Sequence, residues 1–242
     1  MNSKDLVIIL GIFLLSGCAS NYVYIQGRKG QLTAESKFDY RKYKLSPLKQ
    51  EDEKDGVKVG VEFMLYPELN KIFQDKHTFG HLAGENPYPP GVIVFKVRIE
   101  NNSDSRIYLD PGNFVVIDDL GTQYMYINAD RIIDIYQAKS FVYTFAKTTS
   151  DFASGIYGPS AGLVKGLAGR RLERKKALLK SIELTGGYVF PGVIYDGFVC
   201  FLMPNPKAKR IKFVLSNIKT AFDVNDEALG SVDFVFKFQR NE

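Results

Sequence analysis

From Val57 onward, apolar residues recur at every second position, and this period of two constrains the fold more than any other feature of the chain. Val57, Val59, Val61, Phe63 and Leu65 alternate with Lys58, Gly60, Glu62, Met64 and Tyr66, so an extended backbone there has one apolar and one wetter side. After a Pro/Gly-rich loop (Glu85-Asn86-Pro87-Tyr88-Pro89-Pro90-Gly91), a second run spans Val92 to Glu100, with Phe95, Val97 and Ile99 alternating with charges. It stops at Asn101-Asn102-Ser103-Asp104, where short polar side chains satisfy nearby backbone groups. Shorter runs follow at Ile107-Tyr108-Leu109, Phe114-Val115-Val116-Ile117 and Tyr124-Met125-Tyr126-Ile127, punctuated by Asp110-Pro111-Gly112 and Asp118-Asp119-Leu120-Gly121. Strand patterns return at Val193 to Met203, Arg210 to Leu215, Thr220 to Val224 and Ser231 to Phe238, with Asn225-Asp226-Glu227 as a turn. About eight or nine short strands at this spacing predict a mainly β chain, an antiparallel β-sandwich or barrel.

Residues 128–185 interrupt the pattern and read as a helical insertion on one end of the sandwich. Ala129 to Ala146 is ambiguous: Ile132, Ile133, Tyr136 and Ser140 fit a helical face, while Phe141, Val142, Tyr143 and Phe145 suit a strand. Arg170 to Leu184 is rich in Lys, Arg, Leu, Ala and Glu, and reads as a helix stopped by Gly186-Gly187. Between them, Gly158, Gly162 and Gly166 recur every four residues, as in close-packed helices in lipid. Pro159, Lys165 and the helix cost of each glycine favour a surface loop instead.

The formal net charge is +5, and most of the excess sits in one stretch. Arg170, Arg171, Arg174, Lys175, Lys176 and Lys180 face only Glu173 and Glu183 there. A charged helix face that is merely solvated accounts for these residues. The sharper alternative makes them a candidate contact with a membrane surface or an anionic partner, with Leu172, Leu179 and Ile182 turned inward.

The first residues narrow the compartment. Lys4 precedes Leu6-Val7-Ile8-Ile9-Leu10-Gly11-Ile12-Phe13-Leu14-Leu15, an uncharged run of roughly ten residues, the length of a signal-peptide core and too short to cross a bilayer. It ends in Leu15-Ser16-Gly17-Cys18. This pattern resembles the lipobox of bacterial lipoproteins, and the resemblance implies a palmitate-type lipid anchor on the Cys18 thiol with cleavage before it. Residues 1–17 are then the signal peptide. Residues 18–55 read as a lipidated polar tether, with Lys49-Gln50-Glu51-Asp52-Glu53-Lys54-Asp55-Gly56 as a solvated run ending at a turn. Residues 56–242 form the folded domain. Ala19, rather than an Asp after the cysteine, implies the outer membrane if the envelope has one. With Cys18 lipidated, Cys200 has no disulfide partner and reads as a small buried hydrophobe within Phe198-Val199-Cys200-Phe201-Leu202.

A second resemblance lies in the strands. Val94 to Asp104, Leu109-Asp110-Pro111-Gly112-Asn113-Phe114 and Ile117 to Tyr124, with the later Val189-Phe190-Pro191-Gly192 and Gly197 to Phe201, are similar to uncharacterised immunoglobulin-like domains of bacterial lipoproteins and secreted proteins. The resemblance implies an immunoglobulin-like antiparallel β-sandwich and brings no catalytic residue with it. The absence of Trp and of a cysteine pair removes the antibody-type core signature.

Candidate chemistry is sparse. His77 and His81 have the spacing of a helical metal pair, but Thr78, Phe79 and Gly80 between them argue for a loop and no third ligand is placed. Asp118 and Asp119 read as solvated turn residues rather than paired acids. No nucleophile elbow, phosphate-cradling loop or histidine triad is present. The expectation is a non-enzymatic, cofactor-free interaction module held at a cell envelope, binding an envelope protein or polymer and not nucleic acid. The alternative is an assembly subunit whose Gly-rich and basic insertion contacts membrane or mediates oligomers.

Overall fold

The period-two segments pair into two antiparallel sheets lying face to face. The computed structural model describes residues 42–137 and 161–241, all of them in one compact unit, Tyr40–Glu242. The leader with Cys18, tether residues 18–41 and the stretch 138–160, with Phe141 to Phe145 and Gly158, lie outside the described residues.

One sheet has four strands in the order β2 (Lys49–Lys54), β3 (Val57–Phe63), β4 (Val92–Asn101) and β9 (Ile194–Leu202). The other has seven. β1 (Lys44–Ser46), β11 (Ala228–Asn241), β10 (Arg210–Phe222), β5 (Ile107–Leu109) and β8 (Gly187–Val189) follow one another, while β6 (Phe114–Asp118) joins β10 to β7 (Gln123–Met125). β10 reads in the sequence as two strands but is one. Its register shifts between Leu215 and Ile218, with Asn217 at φ 60°, and there it changes neighbour from β6 to β5.

Phenylalanines from both sheets form the core between them. The fully buried Phe95 stacks on Phe213 with ring centroids 4.7 Å apart, and Phe63, Phe201 and Phe238 meet Phe95 at 5.6, 6.3 and 5.3 Å. Edge-to-face and stacked ring pairs of this kind add to the stabilisation from area burial alone.

The expected tether does not extend to Asp55. Lys49-Gln50-Glu51-Asp52-Glu53-Lys54 is strand β2, paired along its length with β3. It has no period-two signal because it is an edge strand with both faces wet, and its charges guard that edge against pairing with another chain. Asp55 and Gly56, at φ 50° and 73°, make the two-residue turn that joins β2 to β3. A Cβ on Gly56 would also lie 3.0 Å from the Ser103 Cα.

A second departure is α1 (Tyr66–Gln74), which begins where the alternation seemed to continue through Leu65 and Tyr66. Pro67 in its first turn and the Glu68 carboxylate, which accepts the Leu65 N–H at 3.2 Å, start it. The short helix α2 (Lys76–Phe79) follows.

The helical insertion consists, among the described residues, of α3 (residues 129–137) and α4 (Ala161–Ile182). Gly162 and Gly166 therefore lie in a helix, not in the expected surface loop. Nor does the insertion cap one end of the sandwich. Ile132 and Ile133 of α3, Leu178 and Leu179 of α4, and Leu69 and Phe73 of α1 pack against Val94, Phe198 and Cys200 on the outer side of the four-stranded sheet. A third layer thus lies over that sheet, which explains why Val94 is buried on the side opposite its neighbours Ile93 and Phe95. No helix among the described residues is long and apolar enough to cross a membrane.

Candidate functional site

The basic residues expected to act together are divided by the fold. Leu172 and Ile182 pack against the buried Leu178 and Leu179 cluster, so the apolar face of α4 is turned onto the sheet. Four of the six cations are drawn into the protein's own contacts. Lys176 and Lys180 hold the Asp130 carboxylate at 2.9 and 3.1 Å. Arg174 donates to the carbonyls of Leu82 and Ala83. Lys175 is half-buried, its ammonium 4.8 Å from the centre of the Tyr136 ring, and desolvation lowers its pKa. Arg170 and Arg171 remain exposed. Cys18 lies outside the described residues.

Where α3 and α4 meet the sandwich, an open cleft of about 730 Å³ is lined by Asp110, Tyr126, Asn128, Asp130, Arg131, Asp134, Glu183 and Thr185. Asn128 and Glu183 build its floor by capping α3: Asn128 Oδ1 accepts the Arg131 N–H at 2.8 Å, and Glu183 Oε1 accepts the Ala129 N–H at 2.9 Å. Tyr126 donates its hydroxyl to the same Glu183 oxygen. Burial first, and then that hydrogen bond, push the Tyr126 phenol above its ordinary pKa, so it stays a neutral donor. The ion pair with Lys176 and Lys180 holds Asp130 below the usual carboxylate range. With Arg131 and Asp134 exposed along it, the cleft offers carboxylates, a guanidinium and hydroxyl groups to a polar ligand, and its lining contains no thiol or imidazole.

Asn128 was open to detection as a polar residue just before the apolar-periodic Ala129 to Tyr136. Glu183 was not, because its partners Tyr126 and Ala129 are more than fifty positions away.

The remaining singled-out residues have structural roles. Asp118 is a turn residue as expected, but it is buried rather than solvated, at 4% exposure. Its carboxylate accepts from the N–H groups of Leu120 and Thr122 at 3.0 and 2.8 Å and from the Tyr124 hydroxyl at 2.8 Å. Asp119 accepts the Lys209 N–H at 3.1 Å. His77 stands in α2 rather than in a loop, and His81 in the turn after it; both are exposed. Among the described residues no group of three or more His, Cys, Asp and Glu side chains is placed to hold a metal ion. Cys200 is buried as expected, and burial pushes its thiol far above the ordinary range, away from a reactive thiolate.

No protein-family model matches the sequence, and no curated protein matches it. Among solved structures, a Bacillus subtilis subsp. subtilis str. 168 protein, ycdA, described as a "putative lipoprotein", is similar at 12% identity with a TM-score of 0.34. The match covers 77% of this chain and only 38% of that one.

Proposed function

We propose that the chain is a lipid-anchored lipoprotein of a bacterial cell envelope whose immunoglobulin-like sandwich serves as a non-enzymatic binding module. The observation that carries this reading is the leader: a short apolar run after Lys4 that closes on Leu15-Ser16-Gly17-Cys18. The two facing antiparallel sheets support the sandwich part of the reading. The stretches that resemble immunoglobulin-like domains lie on β4, β5, β6 and β7, with the later ones at the end of β8 and on β9. Ala19 after the anchor cysteine favours the outer membrane. Within the module, the cleft between α3, α4 and Asp110 is the recognition site, and its mixed carboxylates, guanidinium and hydroxyls suit a polar group of an envelope protein or polymer.

Metabolic labelling with an alkynyl fatty acid tests the anchor. The native chain is expected to take up label and sediment with membranes, and Cys18→Ser to lose both label and processing. Equal labelling of Cys18→Ser would overturn the reading.

A further inference from the structure

The outer face of the seven-stranded sheet, on the side of the molecule away from α3 and α4, carries a charge pattern that no single segment reveals. In β10 the side chains of Phe213 and Leu215 enter the core, so Lys212 and Val214 point outward; in β11 Phe234, Phe236 and Phe238 are buried, so Val235 and Lys237 point outward. The register places Lys212 directly opposite Lys237, and Val214 directly opposite Val235. Val214 also pairs with Val115 of β6, and Val115 with Met125 of β7. One row across four strands is therefore apolar, with Met125 57% and Val235 44% exposed.

The next rows toward β1 are cationic. Beyond the Lys212–Lys237 pair lies Arg210, opposite Gln239, and Lys44 of β1 lies opposite Asn241. Among the described residues no salt bridge engages Lys44, Lys212 or Lys237, and Arg210 has only Asp119, 3.7 Å away. On the far side of the apolar row, the Asp233 carboxylate accepts the Asn217 N–H at 2.7 Å. Like charges directly opposed in a ladder cost stability, so Lys212 beside Lys237 is a pairing that folding alone disfavours. An external anion relieves it.

We infer that this face docks on an anionic phospholipid bilayer, its lysines and Arg210 against headgroup phosphates and the Met125–Val115–Val214–Val235 row against the interface. Two observations choose this occupant. The charge complements phosphate, and cations beside exposed apolar side chains are what an interfacial surface requires. Lys44, in the first strand after the proposed anchor, also lies on the border of this same face. The inference deepens the lipoprotein reading in its choice of membrane, although binding by the face does not need the anchor.

The chain has no Trp, so a single introduced indole reports its own surroundings. The full chain carrying Val235→Trp, and separately Arg170→Trp on α4, is mixed with vesicles of phosphatidylcholine alone or with phosphatidylglycerol, each containing brominated lipid. The expected result is quenching of the Val235→Trp reporter on phosphatidylglycerol vesicles, little on phosphatidylcholine, and none of the Arg170→Trp reporter. Adding Lys212→Glu and Lys237→Glu should lower that binding roughly ten-fold or more, and raised salt should do the same. Quenching of the Arg170→Trp reporter instead, or an unquenched Val235→Trp reporter, would overturn the inference. Sedimentation with phosphatidylcholine vesicles, lost in Cys18→Ser, reads the anchor separately. A chain that fails there yet shows the charge-dependent quenching loses the lipoprotein reading and keeps the membrane-docking face.

Discussion

Gly197 of β9 and Leu184, just beyond α4, meet so closely that a Cβ on Gly197 would lie 2.7 Å from both the Cα and the N of Leu184. This contact seats the end of α4 on the four-stranded sheet, where the Leu184 N–H donates to the Phe198 carbonyl at 3.0 Å. The obstacle is backbone and cannot rotate aside. Gly197→Ala is therefore expected to destabilise the fold by about 2 kcal/mol or more, the scale of overpacking. Urea unfolding would measure the loss, and an unchanged midpoint would refute the seating contact.

Asn101 ends β4 with no exposed surface and with its amide fully used. Its Nδ2 donates to the carbonyls of Ser105 and Val189, both at 2.8 Å, and its Oδ1 accepts from the Ser103 N–H and hydroxyl. It thereby links the end of β4 and the turn that follows it to β8 in the other sheet. Asn101→Ala removes the buried donation to the Val189 carbonyl and leaves the Ser105 carbonyl only the Ser103 hydroxyl, at a cost of about 2 kcal/mol. Asn101→Asp should also be damaging, because it keeps the acceptor and loses both donations. Thermal melts of the two variants check this.

Lys237 faces Lys212 across the β10–β11 ladder. Lys237→Glu turns a repulsive cross-strand pair into an attractive one and is expected to stabilise the protein by about 0.5 kcal/mol, less at high salt. A residue whose replacement improves stability while weakening vesicle binding is retained for contact rather than for folding. If the melting temperature falls instead, the two ammonium groups are not in repulsion.

Asp130 is held below its ordinary pKa by hydrogen bonds to Lys176 and then Lys180. A carboxylate with a depressed folded pKa contributes stability that is present above the unfolded value, near 3.8, and lost as pH falls through the lower folded value. Native stability should therefore decline on acidification in that window, and the decline should be shallower in Asp130→Asn. Denaturant titrations at pH 6 and pH 2.5 on both proteins give the comparison. Equal declines would mean that the bridge from α3 to α4 contributes nothing. The pair is solvent-exposed, so the difference should be small and should shrink with salt.

Much of this was readable along the chain because it depends on neighbours only. The alternation from Val57 to Phe63 and from Val92 to Asn101 marks strands whose one face is buried, and Asp118-Asp119-Leu120-Gly121 is a turn because short acids and a glycine satisfy local backbone. The edge strand Lys49–Lys54 escaped for the converse reason. With no buried face it has no period, although Asp55-Gly56 beside it is a strong hairpin signal. The helix after Phe63 was hidden because Leu65 and Tyr66 happened to extend the alternation into its first turn. Of the cleft, the Asp110 turn was read in the sequence and Asn128, though not singled out there, stands where a helix cap is legible; Glu183 joins them only by a hydrogen bond across more than fifty residues.

By itself, then, the sequence determined the β character, most turns and the helix from Arg170, and it showed an apolar run that closes on Cys18, because period, turn chemistry and an apolar run of fixed length are local properties. The tertiary structure alone decided where charge is available. It folded the conspicuous basic helix onto the sheet and paired or half-buried four of its six cations, since a cation close to a carboxylate, a carbonyl or an aromatic face is bound there. It also assembled a second cationic and apolar face from Lys44, Arg210, Lys212 and Lys237, residues scattered along the chain. Strand register, which no local pattern encodes, brought them together.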